Sequence, residues 1–274
     1  MINSFTSIIR LFYNPAADVE VIVLGHQKGG TTAIAALLGK ISNREVSIDP
    51  LYQVDQGKAK MVAKLVEKPK SIESLCLRYP SLFTKPIVKD PDLIYIYQAL
   101  KACYENARFL FVVRDPRDTI RSICNRLALT GDDLNHVPTL NKMLNGNHHW
   151  ELILSGELPK HEKRGQYSSL VGNLAYRWNL ASKMYLEFSS EMILLRYEDF
   201  LKDKEKIIDA TANKLGLEST KSIADFIDVQ YQPKGNPDAD LQQFFGQENL
   251  EQIEIICADS MREFGYEFLT NANR

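Results

Sequence analysis

Residues 19 to 40 read VEVIVLGHQKGGTTAIAALLGK, and this run constrains the chain more than any other. The apolar stretch ending at Gly25 suits a strand buried on both faces, as in a parallel sheet covered by helices. Gly29 and Gly30 allow a sharp turn in which successive backbone N–H groups converge on one anion. The Ala- and Leu-rich continuation opens a helix on Thr31 and Thr32, whose unpaired N–H groups and dipole favour a phosphate or sulfate. In the triphosphate loop G-x-x-x-x-G-K-[ST], lysine comes next to last and a hydroxyl serves magnesium. Counting from Gly25, Gly30 keeps its place but Thr31 replaces that lysine, and the lysine stands earlier, at Lys28. A cation inside the turn can sit beside a transferring group and its leaving oxygen without a bridging metal.

Residues 107 to 123 read ARFLFVVRDPRDTIRSI, a second buried strand followed by a helix. Asp115 suits the N-cap, and Pro116 suits the first helical position because its missing N–H would have no partner there. Ser122 follows Arg114 by eight residues. Strand end and helix can thus aim a guanidinium and a hydroxyl at a further phosphate.

Taken together, these segments resemble the sulfotransferases that use 3′-phosphoadenosine 5′-phosphosulfate (PAPS). Lys28-Gly29-Gly30-Thr31-Thr32 resembles their K-x-G-T-T loop. Arg114-Asp115-Pro116-Arg117-Asp118, with Ser122, resembles their 3′-phosphate element. Val88-Lys89-Asp90-Pro91, Leu195-Arg196-Tyr197-Glu198-Asp199-Phe200, Leu215-Gly216-Leu217 and Phe264-Gly265-Tyr266 follow in the order such proteins show, so the resemblance spans about residues 19 to 268. It implies a three-layer α/β fold like that of P-loop NTPases, transfer of a sulfuryl group from PAPS to a hydroxyl acceptor, PAP as product, and no metal. Lys28 is then the cation at the leaving oxygen, Gly29, Gly30, Thr31 and Thr32 hold the 5′-phosphate, and Arg114 and Ser122 hold the 3′-phosphate. Lys89 is the strand-end lysine of the catalytic set.

The base is less defined. Cytosolic members of the family use a histidine in K-T-H after the third strand, where this chain has Lys89-Asp90-Pro91. Members acting on saccharides or protein tyrosines use a glutamate after the second strand. Asp49 holds that position here, about twenty residues beyond Lys28. The residues leave two roles open for Asp49, base or cap of the turn at Pro50, with Asp90 and Glu45 as alternative bases. Tyr197 either meets the adenine or packs at a helix start. Lys234, in Gln232-Pro233-Lys234-Gly235, either reaches the 3′-phosphate or belongs to a plain surface loop.

Strands are expected at 20–24, 45–48, 86–89, 108–113 and 192–195, with helices between them. That alternation implies right-handed crossovers and a central parallel sheet of about five strands flanked by helices. Ligands bind outside the carboxyl ends of such strands, so Lys28, Asp49, Lys89, Arg114 and Tyr197 should share one face. The polar, turn-rich stretch 131–169 reads as an inserted lid or acceptor wall within a single domain, 1–274. Its histidines show no spacing that completes a metal set. Trp178 lies on an amphipathic helix and reads as core.

A chain of 274 residues, 45% hydrophobic, can bury one substantial core. A formal net charge of −2 argues against a general nucleic-acid or membrane-surface binder. No apolar run reaches the length of a membrane span, and the start lacks the pattern of a signal peptide. Cys76, Cys103, Cys124 and Cys257 stand far apart, as reduced thiols of a cytoplasmic, bacterial-type protein would. The competing readings are a P-loop nucleotide or small-molecule kinase and a non-catalytic nucleotide-binding protein of the same fold. The displaced lysine and the Arg114–Ser122 element oppose the first. The missing histidine is the sole support for the second. For the acceptor, hydrogen-bonding groups in 131–169, with only Trp150 and Tyr167 as its large aromatic residues, favour a neutral saccharide or other aliphatic alcohol over a phenol.

Overall fold

The central strands of the sheet are apolar on two sides, and each side meets its own layer of helices. The computed structural model describes residues 18–56, 60–129, 148–155, 167–231 and 240–271. The strands are β1 (Val21–Gly25), β2 (Val46–Ile48), β3 (Ile87–Lys89), β4 (Arg108–Val113) and β5 (Met192–Arg196). All pair in parallel, in the order β2-β3-β1-β4-β5. The five expected strands are present, with ends displaced by one residue at most.

The helices that position the site are α1 (Thr31–Ser42), α2 (Pro50–Asp55), α3 (Pro116–Arg126), α4 (His148–Ser155), α5 (Leu170–Glu187), α6 (Tyr197–Lys202), α7 (Lys204–Lys214) and α8 (Leu241–Glu263). A 3-10 turn over Pro91–Ile96 follows β3. Shorter helices fill the connection between β2 and β3.

Side chains alternate strictly between the two layers. Val21 and Val23 of β1, with Leu110 and Val112 of β4, pack against Ile34, Leu37 and Leu38 of α1 and Ile208 and Ala212 of α7. Ile22, Leu24, Phe109, Phe111 and Val113 point the other way, toward Ala175 and Trp178 of α5 and Ile253, Cys257 and Met261 of α8. Phe111 stacks on Tyr185, with ring centroids 4.8 Å apart. Burying a side chain of this size contributes about 1.5–3 kcal/mol, so both layers are needed to hold a sheet this apolar.

Trp178 belongs to the core, 2% exposed. Its indole N–H donates to the Arg114 carbonyl at 3.0 Å, which ties the core helix to the end of β4. No helix among the described residues is long and apolar enough to cross a membrane. Of the stretch 131–169, residues 131–147 and 156–166 lie outside the described residues, and so does Lys234.

Candidate active site

Five strand ends deliver the site's side chains. Gly25 closes β1 at φ 150°, and a Cβ there would lie 2.4 Å from the Val112 carbonyl oxygen of β4, so only glycine permits the close approach. The turn beyond it is closed by Gly29 N–H donating to the His26 carbonyl at 3.0 Å. Lys28 takes the left-handed conformation, φ 63°, which is strained for a residue with a side chain. Gly30 caps α1 at φ 91°. The N–H of Ile34 returns to the Gly30 carbonyl at 3.2 Å, and the earlier first-turn N–H groups have no helical carbonyl to meet. Gly30, Thr31, Thr32 and Ala33 line a cavity of about 560 Å³.

Arg114 and Ser122 line the same cavity. Arg114 Nη1 donates to the Lys28 carbonyl at 3.3 Å, and its guanidinium lies 4.9 Å above the Tyr197 ring. Asp115 caps α3, accepting from the Arg117 N–H at 2.8 Å, with Pro116 in the first turn. Glu198 accepts the Asp115 N–H at 2.8 Å on one oxygen and the Tyr266 hydroxyl at 3.0 Å on the other. Glu198 and Tyr266 therefore hold the turn that aims Arg114. Tyr197 packs its ring on Gly30, where a Cβ would fall 2.3 Å from ring carbons, and it also forms part of the cavity wall.

Beyond Lys28 and Lys89 a second cavity, of about 340 Å³, holds Asp49. Lys28, Lys89 and Tyr231 line both cavities. Lys89 is buried, and its ammonium pairs with Asp49 Oδ1 at 2.8 Å. Asp49 occupies the cap position of α2 at φ 50°, yet its side chain makes no cap bond and turns to Lys89 instead. Asp90 differs: its two carboxylate oxygens accept the N–H groups of Asp92 and Leu51, each at 3.0 Å. Burial, with the charges of Asp49 and Asp92 nearby, pushes the Asp90 carboxyl well above the usual carboxylate range. Glu45 precedes β2, at the amino end of the sheet, and pairs with Lys85. It stands across the sheet from these cavities. Burial first, then the charges of Arg126, Arg114 and Lys89, lowers the Lys28 ammonium to about 8.

Several residues of the site escaped the sequence reading. Gln27 donates to Asp92 Oδ1 at 2.6 Å, and buried Arg177 pairs with the same oxygen. The adjacency of Gln27 to Lys28 was a signal, but no spacing could link either to Arg177, 85 positions from Asp92. Arg126, Tyr52 and Tyr231 line the second cavity with His149 and Trp150. Phe200, Leu201, Ile227 and Val229 add an apolar wall to the first. Lys204 pins that wall through the Ile227 carbonyl at 3.1 Å and Asp228 at 2.6 Å. His26 is buried beneath the loop, stacked on Trp178 at 5.1 Å, and burial together with Arg177 lowers its pKa to about 3.

A solved sulfotransferase from Alicyclobacillus acidocaldarius shares 13% identity with this chain, covering 93% of it and 99% of the other, with a TM-score of 0.53. At that identity the likeness is one of fold. The sulfotransferase domains from the curacin biosynthetic pathway and from the olefin synthase of Synechococcus PCC 7002 are each 12% identical. The first covers 90% of this chain and 98% of its own, at a TM-score of 0.49. The second covers 90% and 94%, at 0.46. No curated protein matches the sequence significantly. The family model described as the sulfotransferase domain matches residues 18–260, nearly the whole chain, and the chain belongs to that family.

Proposed function

We propose that this protein is a PAPS-dependent sulfotransferase whose acceptor is a saccharide or other aliphatic alcohol. One observation carries the reading: a single cavity unites Lys28, Thr31, Thr32, Arg114 and Ser122 and meets, at Lys28 and Lys89, a second cavity that holds Asp49. The first is of a size that suits a nucleotide. Its parts also fit one: first-turn N–H groups for the 5′-phosphate, Arg114 and Ser122 for the 3′-phosphate, and the wall at Phe200, Leu201, Ile227 and Val229 for a flat base.

When bound, PAPS supplies a sulfuryl group on a phosphate leaving group. Lys28 stabilises the negative charge that develops on the leaving phosphate oxygen. Asp49 takes the proton of the acceptor hydroxyl as the new oxygen–sulfur bond forms and the bond from sulfur to the phosphate oxygen breaks. Lys89 holds the Asp49 carboxylate at the junction of the cavities. A sulfuryl group carries less negative charge than a transferring phosphoryl group. A lysine therefore suffices where phosphoryl transfer enlists magnesium.

Calorimetric titration separates this reading from a kinase. Tight binding of 3′,5′-ADP without metal is expected, and preference for ATP with magnesium would refute it. Arg114→Ala should weaken 3′,5′-ADP by about 1.5–3 kcal/mol, the scale of hydrogen bonds to a charged group. Unchanged affinity in that variant would remove Arg114 from the 3′-phosphate.

A further inference from the structure

We propose that the second cavity recognises an acceptor bearing an oxyanion, a carboxylate or a phosphate, as well as the hydroxyl to be sulfated, and that Arg126 receives that oxyanion. The proposal rests on the sulfotransferase reading and names the class of its acceptor.

Helix α3 serves both cavities. Arg121, Ser122 and Asn125 line the first cavity, whereas Arg126, the last residue of the helix, lines only the second. Arg126 thus faces the second cavity, on the far side of Lys28 from the Arg114–Ser122 pair. Its charge is the foremost of those that depress the Lys28 ammonium, so the guanidinium stands within electrostatic reach of the transfer point.

The other charged groups of this cavity already have assigned partners or uses. Asp49 pairs with Lys89. Asp92 is held by Arg177 and Gln27. Asp90 gives both oxygens to backbone N–H groups, and its burial favours the neutral acid. Lys28 borders the nucleotide cavity as well. Arg126 remains, exposed, and no carboxylate among the described residues pairs with it.

A guanidinium presents a planar fork of donors that matches a carboxylate or phosphate edge. Across the cavity, Tyr52, His149 and Trp150 supply rings, with Tyr52 edge-on to His149 at 5.4 Å. The carbon frame of a small acceptor fits against those rings, with its hydroxyl at Asp49 and its anionic end at Arg126. The composition-based expectation of a neutral acceptor averages charge over the whole chain. It does not register one cation placed at the second cavity with no carboxylate partner among the described residues.

The test uses PAPS and acceptors supplied in matched pairs: glucuronate with methyl glucoside, glucose 6-phosphate with glucose, and 3-hydroxybutyrate with butan-2-ol. In at least one pair the anionic member should be favoured about tenfold or more in kcat/KM. In Arg126→Gln that ratio should collapse toward one, chiefly through a higher KM for the anionic member. No preference for the anionic member in any pair overturns the proposal. So does an Arg126→Gln variant that slows both members alike, which would place Arg126 on the transferring sulfuryl group. Titration of the same proteins with 3′,5′-ADP keeps the two readings apart. Failure of the parent protein to bind it strikes the donor assignment, whereas intact binding without an anion preference strikes this inference alone.

Discussion

Lys28 combines three properties that an ordinary loop lysine lacks. It is held in a strained left-handed turn, it borders both cavities, and burial among cations lowers its pKa to about 8. Lys28→Ala retains the backbone constraint of a non-glycine residue, so its effect isolates the ammonium. Turnover should fall by far more than affinity for 3′,5′-ADP, which has no sulfuryl group. Equal losses in steady-state kinetics and calorimetry would mean that Lys28 only binds. The pH dependence follows from the same lysine. The protonated form is the active one, so kcat/KM for the donor should decline as pH rises through about 8, where the free protein loses that proton. An anionic donor favours the charged lysine, so the limb in kcat should lie at higher pH. A flat alkaline profile in both parameters would count against an ammonium at the leaving oxygen.

At the scale of elements, the loop, α3 and α6 are shaped by contacts with one another. Tyr197, the first residue of α6, lies between Gly30 and the Arg114 guanidinium. Gly30→Ala would place a Cβ 2.3 Å from the Tyr197 ring and force an L-residue to φ 91°. A loss of about 1–3 kcal/mol is expected from the backbone conformation alone, with the ring overlap adding to it. Urea denaturation should report that loss, and Tyr197→Ala in the same background should recover only the steric part. Full recovery would show that the backbone of Gly30 is not constrained as described.

At the scale of the whole molecule, the buried groups around β1 set the response to acid. His26 sits under the loop with its pKa lowered to about 3, against an ordinary value of 6.5. Between those values the unfolded chain binds the proton and the folded one does not. Stability contributed by neutral His26 is therefore lost progressively as pH falls below about 6.5. Asp90 acts in the opposite sense: its raised pKa means that the folded state holds a proton the unfolded state has released. Comparing variants separates the two. His26→Phe, which keeps a ring against Trp178, should show a smaller fall in Tm between pH 7 and pH 5 than the parent protein. Equal falls would mean that His26 does not set the acid response.

The strands were legible because a sheet buried on both faces demands continuous apolar runs, and those runs stand out at β1 and β4. The glycine turn and the cap at Asp115 were legible for a related reason: glycine, proline and capping residues act over a few neighbours, so their meaning survives in the linear order. The role of Glu198 was hidden, because its partners Asp115 and Tyr266 come from two other segments. The choice among Asp49, Asp90 and Glu45 was hidden likewise. All three flank short strands, and only strand direction and pairing set Asp49 against Lys89, bind Asp90 to backbone N–H groups and leave Glu45 at the amino end. Arg126 belongs to no sequence motif, and only the course of α3 between two cavities gives it a place in one of them. The sequence by itself determined the layers and the turn, since both rest on local conformational preference or burial period. Tertiary structure alone decided which carboxylate pairs with Lys89 and which cation lines the second cavity, because electrostatic partnership depends on distances that close only when distant strands align.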